Sequence, residues 1–348
     1  KLYDLARGGD KQPFFMTVSF THPHDPFAIS RNLWNRYNPK DIDMPAVQPI
    51  PYDQLDPHSR RLYHVCAVGD YAQTEKRVRN ARHAYYGMIS YIDDKVGQLL
   101  QVLDSTGLRD NTIIVFISDH GEMLGERGLW YKMSFFEWSA RVPLVFHAPG
   151  RFAPRRLNQP VSLVDLLPTL TAIALNGKSP TATDTLDGHS LLPLLEGRDA
   201  ENSATVYGEM LGEGAVAPLL MIRRGPYKYI YSQPDPEQLF ELKNDPNELT
   251  NLTGRPEFEE LRREFYAELL QHWDKEALHT QVVDSQHRRR LVYRALRNGR
   301  HTPWDFQPYQ EASQKYMRNH LDLGVLERTA RYPSPEAPPP DGPAVLNK

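Results

Sequence analysis

The sequence predicts an α/β fold that is followed by a small antiparallel sheet. In roughly the first 200 residues, short apolar runs alternate with helical patterns, which indicates an α/β core. After about residue 200, several short strand-like runs follow one another with turns between them. An amphipathic helical pattern then follows this second group of strands.

The first region contains three predicted strands and two predicted helices. The strands are short apolar runs rich in β-branched and aromatic residues, and the helices show apolar residues at helical spacing. The strands are expected at 14–20, 112–117 and 142–147, and the helices at 77–103 and 164–174. Gly107 is the predicted stop of the longer helix.

The second region contains four predicted strands and one helix. The strands are expected at 205–209, 219–223, 227–231 and 238–242, and the helix at 257–275. A turn is predicted at Asn-Asp-Pro-Asn over residues 244–247. Residues 276–348 hold too few apolar side chains for a core of their own, so we expect them to lie across another surface or to be partly disordered.

Composition limits the class of protein. The 348 residues are 40% apolar and 24% charged, with a net charge of -3, which argues against a nucleic-acid or membrane-surface binder. No apolar run reaches the roughly 18 residues of a membrane-spanning helix. The single cysteine, Cys66, excludes an internal disulfide and fits a reducing compartment, so a cytoplasmic location is expected. Because the chain starts at Lys1 rather than at Met, we expect upstream sequence to be missing.

Chemistry is predicted where the strand at 112–117 ends in Ser-Asp-His-Gly-Glu. Ligands bind beyond the carboxyl ends of strands in open α/β sheets, and Asp119 and His120 could both reach one divalent cation there. His24 follows the first predicted strand. Lys132 would bring a positive charge to an anionic substrate. Arg141 could do the same, or could pair with Glu137.

Each of these residues also has a purely structural interpretation. Asp119 could cap a following helix, His24 and its neighbour His22 could be surface histidines, and Lys132 could be solvated. Glu122 and Glu126, four residues apart, are typical of a solvated helix face. Cys66 is best explained as a small buried residue.

Several motifs occur in a recognisable order. They are His-Pro-His at 22–24, Ile-Asp-Asp-Lys-Val-Gly at 92–97, Ser-Asp-His-Gly-Glu at 118–122, Gly-Leu-Trp-Tyr-Lys at 128–132, Arg-Val-Pro-Leu at 141–144, Leu-Phe-Glu-Leu at 239–242, Asp-Pro-Asn-Glu at 245–248 and Asn-Leu at 251–252. This order resembles the type I sulfatases of the alkaline phosphatase superfamily, from about residue 14 to residue 275. Arg-Arg-Arg-Leu-Val at 288–292, Thr-Pro-Trp-Asp-Phe-Gln-Pro at 302–308 and Tyr-Met-Arg-Asn-His-Leu-Asp at 316–322 resemble the carboxy-terminal extension of choline sulfatases.

The resemblance implies an alkaline phosphatase-like α/β sandwich, with a mixed central sheet and helices on both faces, plus a small antiparallel carboxy-terminal sheet with a packed helix. Residues 1–200 would be part of the catalytic domain without its first strands, and 201–275 the small β subdomain. Residues 276–348 would be a tail that completes the substrate site and mediates homo-oligomerisation.

The resemblance also implies roles for individual residues. Asp119 and His120 would be metal ligands, with Ca²⁺ expected and Mg²⁺ or Mn²⁺ as alternatives. His24 would protonate the leaving alcohol, and Lys132 would contact the sulfate. Glu209 and Asp322 would contact the choline group of choline sulfate, since a quaternary ammonium is recognised by carboxylates and aromatic faces.

The nucleophile of this family is a formylglycine made from the cysteine of Cys-x-Pro-x-Arg. Cys66 is followed by Ala-Val-Gly-Asp, so the motif is absent and is expected upstream of Lys1. The chain alone is therefore predicted to be inactive. Two alternatives remain: a phosphodiesterase or phosphonate monoester hydrolase of the same superfamily, and a non-catalytic fragment or scaffold.

Overall fold

The computed structural model describes residues 1–8, 13–70, 72–177, 185–198 and 205–298. The described residues form two compact units. The first comprises Lys1–Ala46, Ala67–Arg109 and residues 284–298, and the second comprises Val47–Cys66 and Asp110–Val283. No helix among the described residues is both long and apolar enough to cross a membrane.

The first unit is helical. It contains α1 (Leu2–Arg7), α2 (Arg31–Trp34) and α4 (Glu75–Ser105), the last of which confirms the long predicted helix. The side chain of Thr74 caps the first turn of α4, and Gly107, with φ +70°, follows its end. Ile29, Leu33 and Met88 form a small buried core between the loop before α2, α2 itself and α4.

The expected strand at 14–20 is wrong. This stretch has no strand pairing, and Phe15 is 79% exposed. A strand requires backbone hydrogen bonds to a neighbour, and none of the described residues provides one. An apolar sequence run indicates only that a stretch is suited to a sheet, and it cannot supply the partner.

The second unit is built around two antiparallel sheets. The strands β1 (Ile114–Ile117) and β2 (Leu144–His147) pair with Ile114 opposite His147. Within the described residues this pair is all that is seen of the expected mixed central sheet. The helices are α3 (Pro57–Val65), α5 (Glu137–Ala140), α6 (Leu166–Ala174), α7 (Leu192–Leu195) and α8 (Glu259–His272).

The second sheet confirms the predicted small antiparallel sheet. Its strands are β3 (Thr205–Met210), β4 (Leu219–Arg224), β5 (Tyr227–Tyr231) and β6 (Gln238–Glu241), paired in that order. Side chains alternate between two faces. One face packs on α8 through Leu220, Tyr229 and Phe265, and the other packs on the segment around Met123 and Phe136.

The predicted helix at 257–275 is interrupted. The helix α8 ends at His272 because Trp273 is extended, and α9 (Lys275–Arg297) then begins. No residue of α9 is buried among the described residues, and Leu291 and Leu296 are 70% and 69% exposed. The start of the predicted tail is thus a helix that lacks a core of its own.

Candidate active site

Backbone pairing brings the Asp-His-Gly-Glu segment beside the segment that carries Lys132. The amide of Gly121 donates to the Ser139 carbonyl at 2.7 Å, and the amide of Glu122 donates to the Trp138 carbonyl at 2.9 Å. The Met123 amide donates to the Tyr131 carbonyl at 2.8 Å. Residues 118–141 therefore form one folded hairpin-like segment, which fixes the predicted metal ligands and the predicted lysine in the same part of the second unit.

Gly121 is needed for this close approach. A Cβ at this position would lie 2.1 Å from the Trp138 carbonyl oxygen and 3.1 Å from the Ser139 carbonyl oxygen. Both are backbone atoms, so neither can rotate away as a side chain would. The glycine of the Asp-His-Gly motif is thus explained by packing.

Asp119 and His120 have a geometry that suits a shared cation. The Nδ1 atom of His120 lies 2.8 Å from the Gly121 carbonyl oxygen. A carbonyl only accepts, so Nδ1 carries the hydrogen and Nε2 is the atom that would hold a lone pair. Nε2 lies 3.6 Å from Asp119 Oδ2. The side chain of His120 is 33% exposed and that of Asp119 is 85% exposed.

Asp119 and His120 are of residue types that bind divalent metal ions, but two side chains are too few ligands for such an ion. A carboxylate oxygen and an imidazole nitrogen are both acceptable ligands, but hard cations take six or more. Among the described residues, no group of three or more His, Cys, Asp or Glu side chains is arranged to hold a metal ion. Asp119 and His120 can thus supply part of a metal site.

Residues 131–136, here called the lysine loop, are held by donors from several segments. The Lys132 carbonyl accepts from the amide of Ser134 at 2.7 Å and from the Ser139 hydroxyl. The Met133 carbonyl accepts from His58 Nε2 at 2.7 Å. The Phe135 carbonyl accepts from Lys228 Nζ at 2.7 Å. The backbone that carries Lys132 is therefore fixed by side chains of α3, α5 and β5.

A buried ionic cluster that was not predicted from the sequence lies next to the lysine loop. Lys228 contacts Glu248 at 2.8 Å and Glu137 at 2.6 Å, and the side chains of Lys228 and Glu248 are each 1% exposed. Glu137 therefore pairs with Lys228 rather than with Arg141. Burial raises the pKa of Glu248 above its ordinary value, and the ammonium of Lys228 opposes this shift. The sequence feature that could have indicated this cluster is Lys228 itself, a charged residue within the alternating Tyr-Lys-Tyr-Ile-Tyr of β5.

The interpretation of Glu122 and Glu126 as a solvated helix face is wrong. Glu126 is fully buried and accepts from the Val47 amide at 2.8 Å. Glu122 accepts from the amides of Leu124 and Tyr131 at 3.1 and 2.5 Å. The segment is a chain of turns rather than a helix, so the two carboxylates satisfy backbone amides instead of facing water.

His24 lies in the first unit, in the loop after residue 20. Its Nδ1 is 2.7 Å from the Asp25 carbonyl oxygen, and its amide donates to the Thr21 carbonyl at 2.9 Å. The His22–Pro23 and Asp25–Pro26 peptide bonds are both cis. Burial lowers the pKa of the neighbouring His22, whose ring lies 4.8 Å from that of Tyr91.

Glu209 lies on the edge strand β3, on the sheet face that is covered by α8. Its carboxylate accepts from the indole Nε1 of Trp273 at 3.1 Å. Two residues earlier, Tyr207 stacks on His272 with ring centroids 3.9 Å apart. The lysine loop packs on the opposite face, so the structure does not bring Glu209 onto the face of Lys132. Asp322 lies outside the described residues.

Three family models together match residues 1–275 and 280–332. The family model for sulfatases matches residues 1–176. The model for the carboxy-terminal part of N-sulphoglucosamine sulphohydrolase matches residues 125–275, and the model for the carboxy-terminal part of choline sulfatase matches residues 280–332.

The chain is also similar to individual proteins of known sequence or structure. The chain is 46% identical to a choline-sulfatase of Rhizobium meliloti over 97% of its own length and 66% of that protein. It is 32% identical to an arylsulfatase of Clostridium perfringens, over 74% of this chain and 52% of that protein. The crystal structure of a phosphonate monoester hydrolase of Agrobacterium radiobacter superposes with a TM-score of 0.64 at 27% identity, covering 81% of this chain and 60% of that one.

The chain thus spans between about half and two thirds of the length of these relatives. The fold of the superposed structure confirms the α/β class that the sequence predicted. On the family model over residues 1–176 and the identity to known sulfatases, the chain belongs to the sulfatase family.

Proposed function

We propose that this chain is part of an enzyme that hydrolyses choline sulfate to choline and sulfate. The observation that carries the proposal is the fixed pairing of the Asp119–His120 segment with the lysine loop, in a chain 46% identical to a choline-sulfatase. The nucleophile would be a formylglycine on a segment outside residues 1–348. The complete enzyme is a chain that carries both that segment and these residues.

Two side chains would act on the sulfate ester directly. Lys132 would contact the sulfate and offset the negative charge that develops as the bond to the alcohol breaks. His24 would donate a proton to the leaving oxygen. Because its Nδ1 faces a carbonyl, the proton would come from Nε2.

Asp119 and His120 would hold a divalent metal ion, with Ca²⁺ expected. The orientation of the His120 ring by the Gly121 carbonyl supports this, since a ligating histidine is commonly fixed through its other nitrogen. When bound, the ion would polarise a sulfate oxygen and favour the deprotonated nucleophile.

Glu209 and Asp322 would recognise the quaternary ammonium of choline. For Glu209, the support is its chemistry: a carboxylate next to the ring of Trp273, close to Tyr207, combines negative charge with aromatic faces. For Asp322, the support is the family match over residues 280–332. We also propose that this tail joins subunits of a cytoplasmic homo-oligomer, which light scattering of the chain with and without residues 299–348 would test.

Comparing esters with a poor and a good leaving group tests whether His24 acts as a general acid. The alkoxide of choline is a poor leaving group and needs a proton, whereas 4-nitrophenolate does not. In the complete enzyme, His24→Ala should lower kcat for choline sulfate by about 100- to 10,000-fold and kcat for 4-nitrophenyl sulfate by much less. Equal losses for the two esters would contradict the acid role.

A second candidate function is hydrolysis of phosphonate monoesters or phosphate diesters. The similarity to the phosphonate monoester hydrolase of Agrobacterium radiobacter favours it. Measuring kcat/KM of the complete enzyme for matched sulfate and phosphonate esters decides between the two. A larger value for the phosphonate would replace the first proposal. The isolated chain serves as the blank, because we expect it to show no turnover without the nucleophile.

A further inference from the structure

We propose that Lys228 is a positioning residue for Lys132, through which the carboxy-terminal sheet sets the conformation of the lysine loop. The inference rests on the proposed function in one respect, namely that Lys132 contacts the sulfate. The fixing of the loop by Lys228 is a separate claim and can be tested separately.

The bonding capacity of Lys228 is fully used within the cluster. An ammonium has three hydrogens to donate. Nζ has three acceptors in reach: the Phe135 carbonyl at 2.7 Å, Glu248 at 2.8 Å and Glu137 at 2.6 Å. One of these acceptors belongs to the lysine loop itself, and a second belongs to the residue that follows it. Lys228 therefore binds the end of the loop at Phe135 and at Glu137, on either side of Phe136.

Glu248 completes the attachment from the other side. Its second carboxylate oxygen accepts from the Glu137 amide at 2.7 Å. Glu248 itself is held by Arg127, whose guanidinium donates to the Glu248 carbonyl at 2.9 Å and lies over the Phe136 ring at 4.2 Å. The end of the lysine loop is thus enclosed by three charged side chains, of which two are almost completely buried.

The opposite end of the loop is held independently. The Tyr131 carbonyl accepts from Met123, and its amide donates to Glu122, while φ at Tyr131 is +67°. A positive φ is unfavourable for tyrosine, so the surrounding contacts must maintain this conformation. With both ends fixed, little freedom remains for the backbone of Lys132.

Stability alone does not explain a buried ion pair at this position. Replacing such a pair with apolar side chains of similar size is often neutral or stabilising. An apolar pair, however, has no hydrogen to give to the Phe135 carbonyl and no oxygen for the Glu137 amide. What the charged pair provides, and apolar packing does not, is the attachment of the loop.

Amide hydrogen exchange of the chain tests this directly. In Lys228→Met, the amides of Ser134 and Glu137, which donate to the Lys132 carbonyl and to the Glu248 carboxylate, should exchange at least about tenfold faster than in the wild type, because this end of the loop opens more often. The control is Arg262→Gln, which breaks ion pairs with Glu237 and Glu259 in the same unit and should leave the loop unchanged. Unchanged exchange of the loop in Lys228→Met would overturn the proposal.

A double variant separates positioning from simple stabilisation. Lys228→Met with Glu248→Gln removes both buried charges, so it should regain part of the stability that the single variant loses. The Phe135 carbonyl still lacks its donor, so the loop amides should remain fast. Recovery of loop protection in the double variant would show that Lys228 only balances charge, and would overturn the proposal.

Activity then tests the consequence for Lys132. In the complete enzyme, Lys228→Met should lower kcat for choline sulfate by about 10- to 100-fold at a temperature where it is folded, with a smaller change in KM. Lys132→Ala measures the contribution of the lysine itself. If Lys132→Ala retains full kcat, the proposed role of Lys132 is wrong, an outcome that differs from failure of the exchange test.

Discussion

Replacing Gly121 with alanine should loosen the hairpin-like segment that carries the predicted site. The added Cβ would lie 2.1 Å from the Trp138 carbonyl oxygen, whereas real Cβ contacts are essentially never below 3.0 Å. The two backbones must therefore separate by about 0.9 Å. Relief by side-chain rotation is excluded, because the position of the Cβ is fixed by its own backbone and the Trp138 oxygen is a backbone atom.

The magnitude follows from the hydrogen bonds that this separation would break. The Gly121–Ser139 and Glu122–Trp138 bonds, at 2.7 and 2.9 Å, would stretch to about 3.6 and 3.8 Å. At these lengths they are no longer hydrogen bonds. With about 1 kcal/mol per bond and a further penalty for backbone groups left unpaired, the free energy of unfolding should fall by about 2 to 4 kcal/mol.

Urea unfolding of the purified chain, followed by circular dichroism and tryptophan fluorescence, measures this loss. The matched control is Gly97→Ala in α4, where a Cβ would have no atom within 4 Å. Alanine is the better helix former, so this control should raise stability by up to about 1 kcal/mol. A Gly121→Ala protein within about 0.5 kcal/mol of the wild type would refute the packing argument.

Two further predictions concern the carboxy-terminal sheet and its helix. Hydrogen bonds from Arg262 and then Arg263 lower the pKa of Glu259 from 4.5 to about 2, so the stability they provide is present above pH 4.5 and is lost as the pH falls towards 2. Arg262→Gln should move the Glu259 titration, followed by NMR, back towards 4.5, and an unmoved titration would contradict this. Trp273→Phe keeps a ring but removes the hydrogen bond to Glu209. In the complete enzyme it should raise KM for choline sulfate severalfold and leave KM for 4-nitrophenyl sulfate unchanged, and equal effects on both esters would argue against a choline contact at Glu209.

Local sequence patterns were sufficient for most elements of the fold. Helical spacing located α4, and short strand-like runs with turns between them located all four strands of the antiparallel sheet. Such patterns succeed where an element is determined by which of its own faces is apolar. The prediction of a strand at 14–20 failed because a strand also needs a neighbouring strand, and the composition of a stretch does not say whether a neighbour is present.

In the candidate site, too, local sequence motifs identify some residues, whereas others depend on contacts between distant segments. The sequence by itself determined the family and the residue types that carry the proposed chemistry: Asp119, His120 and Lys132 are recognisable from motifs because chemistry constrains their identity. Only the tertiary structure decided how they are held. Lys228, Glu248 and His58 act on the lysine loop and on Glu137 through bonds between residues that are 75 to 111 positions apart in the chain. Such long-range pairings leave no periodic trace, so Glu126 looked solvated in the sequence although it is buried on a backbone amide.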